Sequence, residues 1–171
     1  MRYPLVHALA AIALTGAAAA FAQQAQPLQS RLEARKVVIS EGRESLVDAA
    51  NARPGDVIEY VATYRNTGKS AITGLQATLP IPHETEFIPG SARPSAAKAS
   101  LDGRVFADIP LKRTVQRDGR PVEVSVPWRE YRALRWSAGE LGAEKTATFV
   151  ARVRVTDDRA PPAAAKPGEN R

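Results

Sequence analysis

The 171-residue chain contains no cysteine, a single methionine and two histidines, and only 6% of it is aromatic. Without cysteine there is no disulfide framework, no thiolate metal site, no cysteine nucleophile and no iron–sulfur cluster. A lipid-anchored envelope protein is excluded too, because that anchor needs a cysteine just after the signal. The one methionine is Met1. The rest of the chain therefore has nothing on the oxidation ladder of thiols and thioethers, which suits an oxidising compartment. After residue 22 no stretch is apolar enough to span a bilayer. Hydrophobic residues make up 44% and charged residues 25%, an ordinary globular composition that argues against wholesale disorder.

The start of the chain reads as an address. Arg2 supplies a positive charge, Leu5 to Ala20 is apolar or small apart from His7 and Thr15, and Ala20-Phe21-Ala22 places small residues where a signal peptidase reads. The run is Ala-rich and shorter than the ~20 residues a membrane helix needs. The expectation is a signal peptide over 1–22, cleaved after Ala22, and an exported protein, periplasmic or associated with the cell surface. Cleavage leaves 149 residues with 23 basic and 18 acidic side chains and one histidine, His83. Export argues against nucleic acid as a partner despite the basic balance, which favours anionic envelope material.

Residues 23–31 are polar and Gln-rich and read as a flexible lead-in. Residues 157–171, with Ala160-Pro161-Pro162-Ala163-Ala164-Ala165, read as a disordered tail. One domain over 32–156 remains, large enough to fold without staples.

Within it the dominant period is two. Ile58, Tyr60, Ala62 and Tyr64 line one face of 57–66, and Ala147, Phe149, Ala151, Val153 and Val155 one face of 145–155. Leu75, Ala77 and Leu79 alternate in the same way, as do Val122, Val124 and Val126. Alternation of this kind marks strands with one wet face. Further strands are expected at 32–39, 87–91, 101–106 and 133–137, and 44–50 is the one helix-like stretch. Pro54-Gly55-Asp56, Asn66-Thr67-Gly68, Asp102-Gly103 and Asp118-Gly119 supply the turns, the last as a hairpin between 114–116 and 122–126. Many short strands without helical connections predict an all-β fold, an immunoglobulin-like antiparallel β-sandwich of about 7–9 strands.

The order of Arg53-Pro54-Gly55-Asp56-Val57-Ile58-Glu59-Tyr60, Tyr64-Arg65-Asn66-Thr67-Gly68, Phe87-Ile88-Pro89-Gly90-Ser91, Leu101-Asp102-Gly103, Arg135-Trp136 and Thr148-Phe149-Val150-Ala151-Arg152-Val153 resembles the bacterial "conserved repeat domain" (the domain-of-unknown-function-11 family) over roughly 50–156. The resemblance implies an Ig-like module of exported and surface proteins, here in a single copy, and carries no catalytic residue. The motifs read as structural, with Trp136 and Phe149 as the large fillers between sheets.

Candidate chemistry is sparse. His83 beside Glu84 and Glu86 is one candidate base or weak metal ligand, in a loop setting that favours plain exposure. A serine hydrolase would have only His83 as its base, and Gly90-Ser91 reads as a turn rather than a nucleophile elbow. Asp102, Asp108, Asp157 and Asp158 lack the spacing of a calcium loop. No catalytic, cofactor-binding or metal-binding residue is assigned, and no cofactor is expected. The stretch 104–135 concentrates the charge excess, with eight basic residues against Asp108, Asp118, Glu123 and Glu130. Arg113, Arg117, Arg120, Arg129 and Arg132 interleaved with Trp128 and Tyr131 have the composition of an interaction surface. These seven are the candidate partner-binding residues. The leading expectation is a non-enzymatic envelope module that binds envelope or surface proteins. The alternatives are a carbohydrate or peptidoglycan-binding module, with anionic glycans as partners and Trp128 and Tyr131 as stacking platforms, and a chaperone-like assembly subunit.

Overall fold

The computed structural model describes residues 27–157. The expected signal over 1–22 and nearly all of the expected tail lie outside them. The described residues form eleven strands: β1 (Leu28–Ser40), β2 (Arg43–Asp48), β3 (Val57–Asn66), β4 (Ile72–Pro80), β5 (Thr85–Phe87), β6 (Lys98–Ser100), β7 (Ala107–Asp108), β8 (Lys112–Arg117), β9 (Arg120–Ser125), β10 (Ala133–Leu141) and β11 (Thr146–Val155). Trp128–Glu130 makes one 3-10 turn. A five-stranded sheet in the order β2-β1-β3-β11-β5 faces a four-stranded sheet, β4-β10-β6-β7, and β8-β9 is a sheet of its own. The fold is the expected all-β sandwich, with nine strands in its two main layers and a separate two-stranded hairpin.

The alternation in the sequence builds the core directly. Registers Phe149↔Ala62, Ala151↔Tyr60 and Val153↔Ile58 set the apolar faces of β11 and β3 side by side. Leu75, Ala77 and Leu79 of β4, with Leu134 and Trp136 of β10, close over them, and all five are buried. The Trp136 and Phe149 rings lie 5.3 Å apart, Tyr64 meets Phe149 edge-on, and the Trp136 indole N–H donates to the Pro94 carbonyl at 2.6 Å. A buried indole thus fills the inter-sheet space without leaving its N–H unpaired.

Four expectations about elements need correction. The stretch 44–50 is strand β2, not helix, through Asp48. Glu41 and Gly42, with φ of 51° and 74°, form a two-residue turn that pairs Ser40 with Arg43 and folds the chain back on β1. Part of the expected lead-in, from Leu28 on, belongs to β1 and pairs with β3 as far as Asn66. The strand expected at 87–91 ends at Phe87, because Ser91 turns back to bond the Ile88 carbonyl through both its N–H and its hydroxyl. No strand runs over 101–106. The Asp102 carboxylate accepts the Arg104 and Val105 N–H groups at 2.8 and 3.0 Å, and this turn breaks the run.

The sandwich guards its edges. On β4 the Tyr64 hydroxyl accepts from the Thr78 N–H at 3.2 Å and donates to the Thr78 carbonyl at 3.4 Å, and Pro80 has no N–H to offer. At the other edge of that sheet β7 is two residues long, and β5 at one edge of the larger sheet is three. The outermost strand of the larger sheet, β2, carries Arg43, Glu44 and Asp48. Short or charged edges of this kind resist pairing with other chains.

Candidate docking site

The hairpin leaves the sandwich at one end. Its ladder runs from Arg117↔Arg120 at the tip to Lys112↔Ser125 at the base, as the Asp118-Gly119 turn predicts. Both turn residues have positive φ, 50° and 71°, so the strands are joined by a two-residue turn of matching twist. One more rung, Val126 N–H to the Leu111 carbonyl at 2.8 Å, ties the base to the body. Leu111 and Val126 belong to the buried core, whereas no residue from 112 to 125 does.

Below the base sits a plug of aromatic rings. Phe87 and Tyr131 stack at 5.9 Å, Trp128 lies 5.0 Å from Tyr131 and meets Phe87 edge-on at 6.0 Å. The Tyr131 hydroxyl accepts the Leu111 N–H at 2.7 Å, and burial pushes its phenol upward in pKa against the lowering effect of that bond. Tyr131 is fully buried and Trp128 half-buried. Neither is the exposed ring the composition suggested. They hold the hairpin's base, and the 3-10 turn that brings Trp128 and Tyr131 three residues apart onto one side was not legible as such in the sequence.

The five arginines divide. Arg113 makes a two-pronged bond to Glu130, at 2.6 and 3.1 Å, which braces the arm against the 3-10 turn. Arg132 donates to the Arg129 and Tyr131 carbonyls at 2.7 and 2.8 Å and acts within its own loop. Arg129 is exposed next to it. Arg117 and Arg120 face each other across the tip, and neither makes an ion pair with any described residue. Like charges directly opposite on paired strands repel. They share their face of the ribbon with Val115, Val122 and Val124, which are half-buried or exposed and lie outside the core. The structure thus brings Arg113, Arg117 and Arg120 onto one face and leaves Arg129, Arg132, Trp128 and Tyr131 at or below the base.

Two clefts lie elsewhere. One of about 380 Å³ gathers His83, Asp102 and Arg132 with Ile81, Leu101 and Gly103. Its Asp102 is committed to the turn, since the carboxylate also accepts the Ser100 hydroxyl at 2.9 Å. Those bonds, from Arg104 and Val105 first and Ser100 after them, hold its pKa down at about 2. The other cleft, about 390 Å³, is lined by Glu59, Ser91, Arg93 and Arg152 among others. There Arg152 is held by Glu44 and Glu59, both bonds raising its pKa, and the Ser91 hydroxyl is spent on the Ile88 carbonyl and the Arg152 N–H. Among the described residues no three His, Asp or Glu side chains stand together as a metal site.

The Asp102 turn has a pH signature. A carboxyl whose folded pKa is about 2, against an ordinary 3.8, stabilises the fold fully above about pH 4 and loses that contribution as pH falls through about 2. Glu44, through Arg152, and Asp56, through the Arg53 N–H, are lowered in the same direction. In thermal melts, Asp102→Asn should be less stable than the parent at pH 5, and the gap should close between pH 4 and 2. A gap that stays constant would mean that the carboxylate charge contributes nothing.

No family model matches the chain, and no curated protein or solved structure gives a significant match.

Proposed function

We propose that the protein is an exported, non-enzymatic module of the bacterial cell envelope that acts by protein–protein contact, with the β8-β9 hairpin as its docking arm. One observation carries the reading. The arm stands apart from both sheets, contributes no side chain from 112 to 125 to the core, and presents Arg117 and Arg120 without an ion-pair partner among the described residues. A segment that stability does not need, and that carries uncompensated charge, is suited to recognition. The N-terminal signal pattern supports export, and the motif resemblance over 50–156 supports an Ig-like envelope module. A glycan platform would need exposed ring faces, and Tyr131 is buried while Trp128 packs on Phe87. We place binding in the arm and leave its base a structural role.

The fold supplies a clean test. Because Leu111 and Val126 already form a hydrogen-bonded rung, residues 112–125 can be replaced by a two-residue Asn-Gly turn that closes the hairpin there. The shortened protein should melt within about 2 °C of the parent, since the removed residues lie outside the core. In affinity capture from crosslinked envelopes, proteins retained by the parent at high salt should be lost from the shortened variant. Equal retention by both would place the docking surface elsewhere.

A further inference from the structure

The arm is an unfinished sheet. Two antiparallel strands alone are marginally stable in water, and a third strand or a packed face is what usually makes a ribbon persist. Among the described residues β8-β9 has neither a third strand nor a residue in the core. Its two edges are not equivalent. The bonded rung between Leu111 and Val126 fixes the alternation, so the residues at 113, 115 and 117 bond across to β9. The backbone groups of Lys112, Thr114 and Gln116 therefore point away from the hairpin, and all three residues are exposed. On β9 the outward positions are Pro121, Glu123 and Ser125. Pro121 has no N–H to give, which blunts that edge. The β8 edge contains no proline, no glycine and no acidic residue, only Lys112-Arg113-Thr114-Val115-Gln116-Arg117.

We infer that the β8 edge takes an extended acidic segment of a partner protein as a third strand. This rests on the arm being the docking element. The backbone supplies three outward N–H groups and carbonyls, and the side chains supply the selection. One face of β8 reads basic, apolar, basic at Arg113, Val115 and Arg117, with Arg113 already bonded to Glu130 and Arg117 making no ion pair with any described residue. Neighbouring strands place residues of one face side by side. The complementary segment therefore carries acid, apolar, acid at alternate positions. That pattern is the same in either direction, so the third strand pairs parallel or antiparallel without loss of match. An acid beside Arg117 also relieves its repulsion with Arg120. The basic edge resists a second β8 by the same charges.

The test uses the whole chain and a nine-residue peptide, Glu-Thr-Val-Thr-Glu-Thr-Val-Thr-Glu, against a polyglutamate of equal length. With the patterned peptide, amide exchange at Lys112, Thr114 and Gln116 should slow about tenfold, while Arg113 and Val115 stay unchanged. Thr114→Pro removes an outward N–H without touching the β8-β9 rungs and should weaken peptide binding about tenfold. Glu123→Pro makes the same change on the other edge and should leave binding within about twofold. Equal binding of polyglutamate without protection of the outward amides, or full binding by Thr114→Pro, overturns strand addition while leaving the arm as the docking element. Binding that survives replacement of 112–125 by the Asn-Gly turn overturns the arm itself. Absence of any binding overturns the acidic-strand assignment.

Discussion

Replacing Asn66 by alanine should lower stability by about 3 kcal/mol and the melting temperature by about 10 °C, with no change in secondary structure short of the transition. Asn66 is fully buried at the end of β3. Its side-chain amide donates to the carbonyls of Ser70, Leu141 and Gly142 at 2.8, 3.0 and 3.0 Å, so two hydrogens serve three acceptors. Its side-chain oxygen accepts the Gly68 N–H at 2.9 Å, and its own N–H donates to Lys145. One residue therefore closes the turn after β3 and locks it to the turn between β10 and β11, where the two sheets meet. Alanine would remove the amide from the buried Leu141 carbonyl and from the part-buried Ser70 and Gly142 carbonyls, of which Gly142 keeps the Lys145 N–H, and would leave the Gly68 N–H without its acceptor. Aspartate should do no better at neutral pH, because a carboxylate can accept from Gly68 but has no hydrogen for three carbonyls. Urea titration of the three proteins measures the effect. A loss for alanine below about 1 kcal/mol would show that water replaces the amide and that Asn66 is an ordinary turn residue. The neighbouring Gly68 is held for a different reason. A Cβ there would lie 2.9 Å from the Pro27 Cβ, where the Thr67 N–H donates to the Pro27 carbonyl at 2.7 Å.

The contrast between these two positions shows what a sequence can and cannot disclose. Asn66-Thr67-Gly68 reads as a turn from local chemistry alone, but the acceptors at 141 and 142 are brought in by the fold. The same holds more widely. β3, β4 and β11 are legible because sheet packing buries every second residue, and the apolar alternation records that burial. β2 is not legible, because all six of its residues are exposed and only pairing with β1 makes it a strand. The run at 101–106 has strand-like apolar content, yet Leu101 and Val105 are 40% and 74% exposed, and the Asp102 turn decides the backbone. The arm itself was legible from Asp118-Gly119 and its flanking residues. Which of its arginines make no ion pair with another described residue was not, since Arg113 meets Glu130 only through the geometry of the base.

Tyr131 is where stability and the arm join, and its two substitutions should separate them. Tyr131→Ala empties the centre of the plug between Phe87 and Trp128 and should cost about 4 kcal/mol, in the range of large-to-small changes in an aromatic core. Tyr131→Phe keeps the ring and removes only the acceptor of the Leu111 N–H, a buried donor with no other partner among the described residues. That change should cost about 1–2 kcal/mol. The consequences for the arm differ in kind. The Leu111 N–H bond fixes the backbone just where β8 begins, and the Leu111 carbonyl takes the last rung from Val126. Without the phenol oxygen the sandwich should remain folded, while amide exchange at Leu111 and Val126 rises well beyond the global change and docking weakens through loss of preorganisation. Exchange that rises equally in every strand would instead mean that the arm's base has no stability of its own to lose. In that case the hydroxyl serves the core alone, and the direction of the arm is set by the Arg113–Glu130 bond.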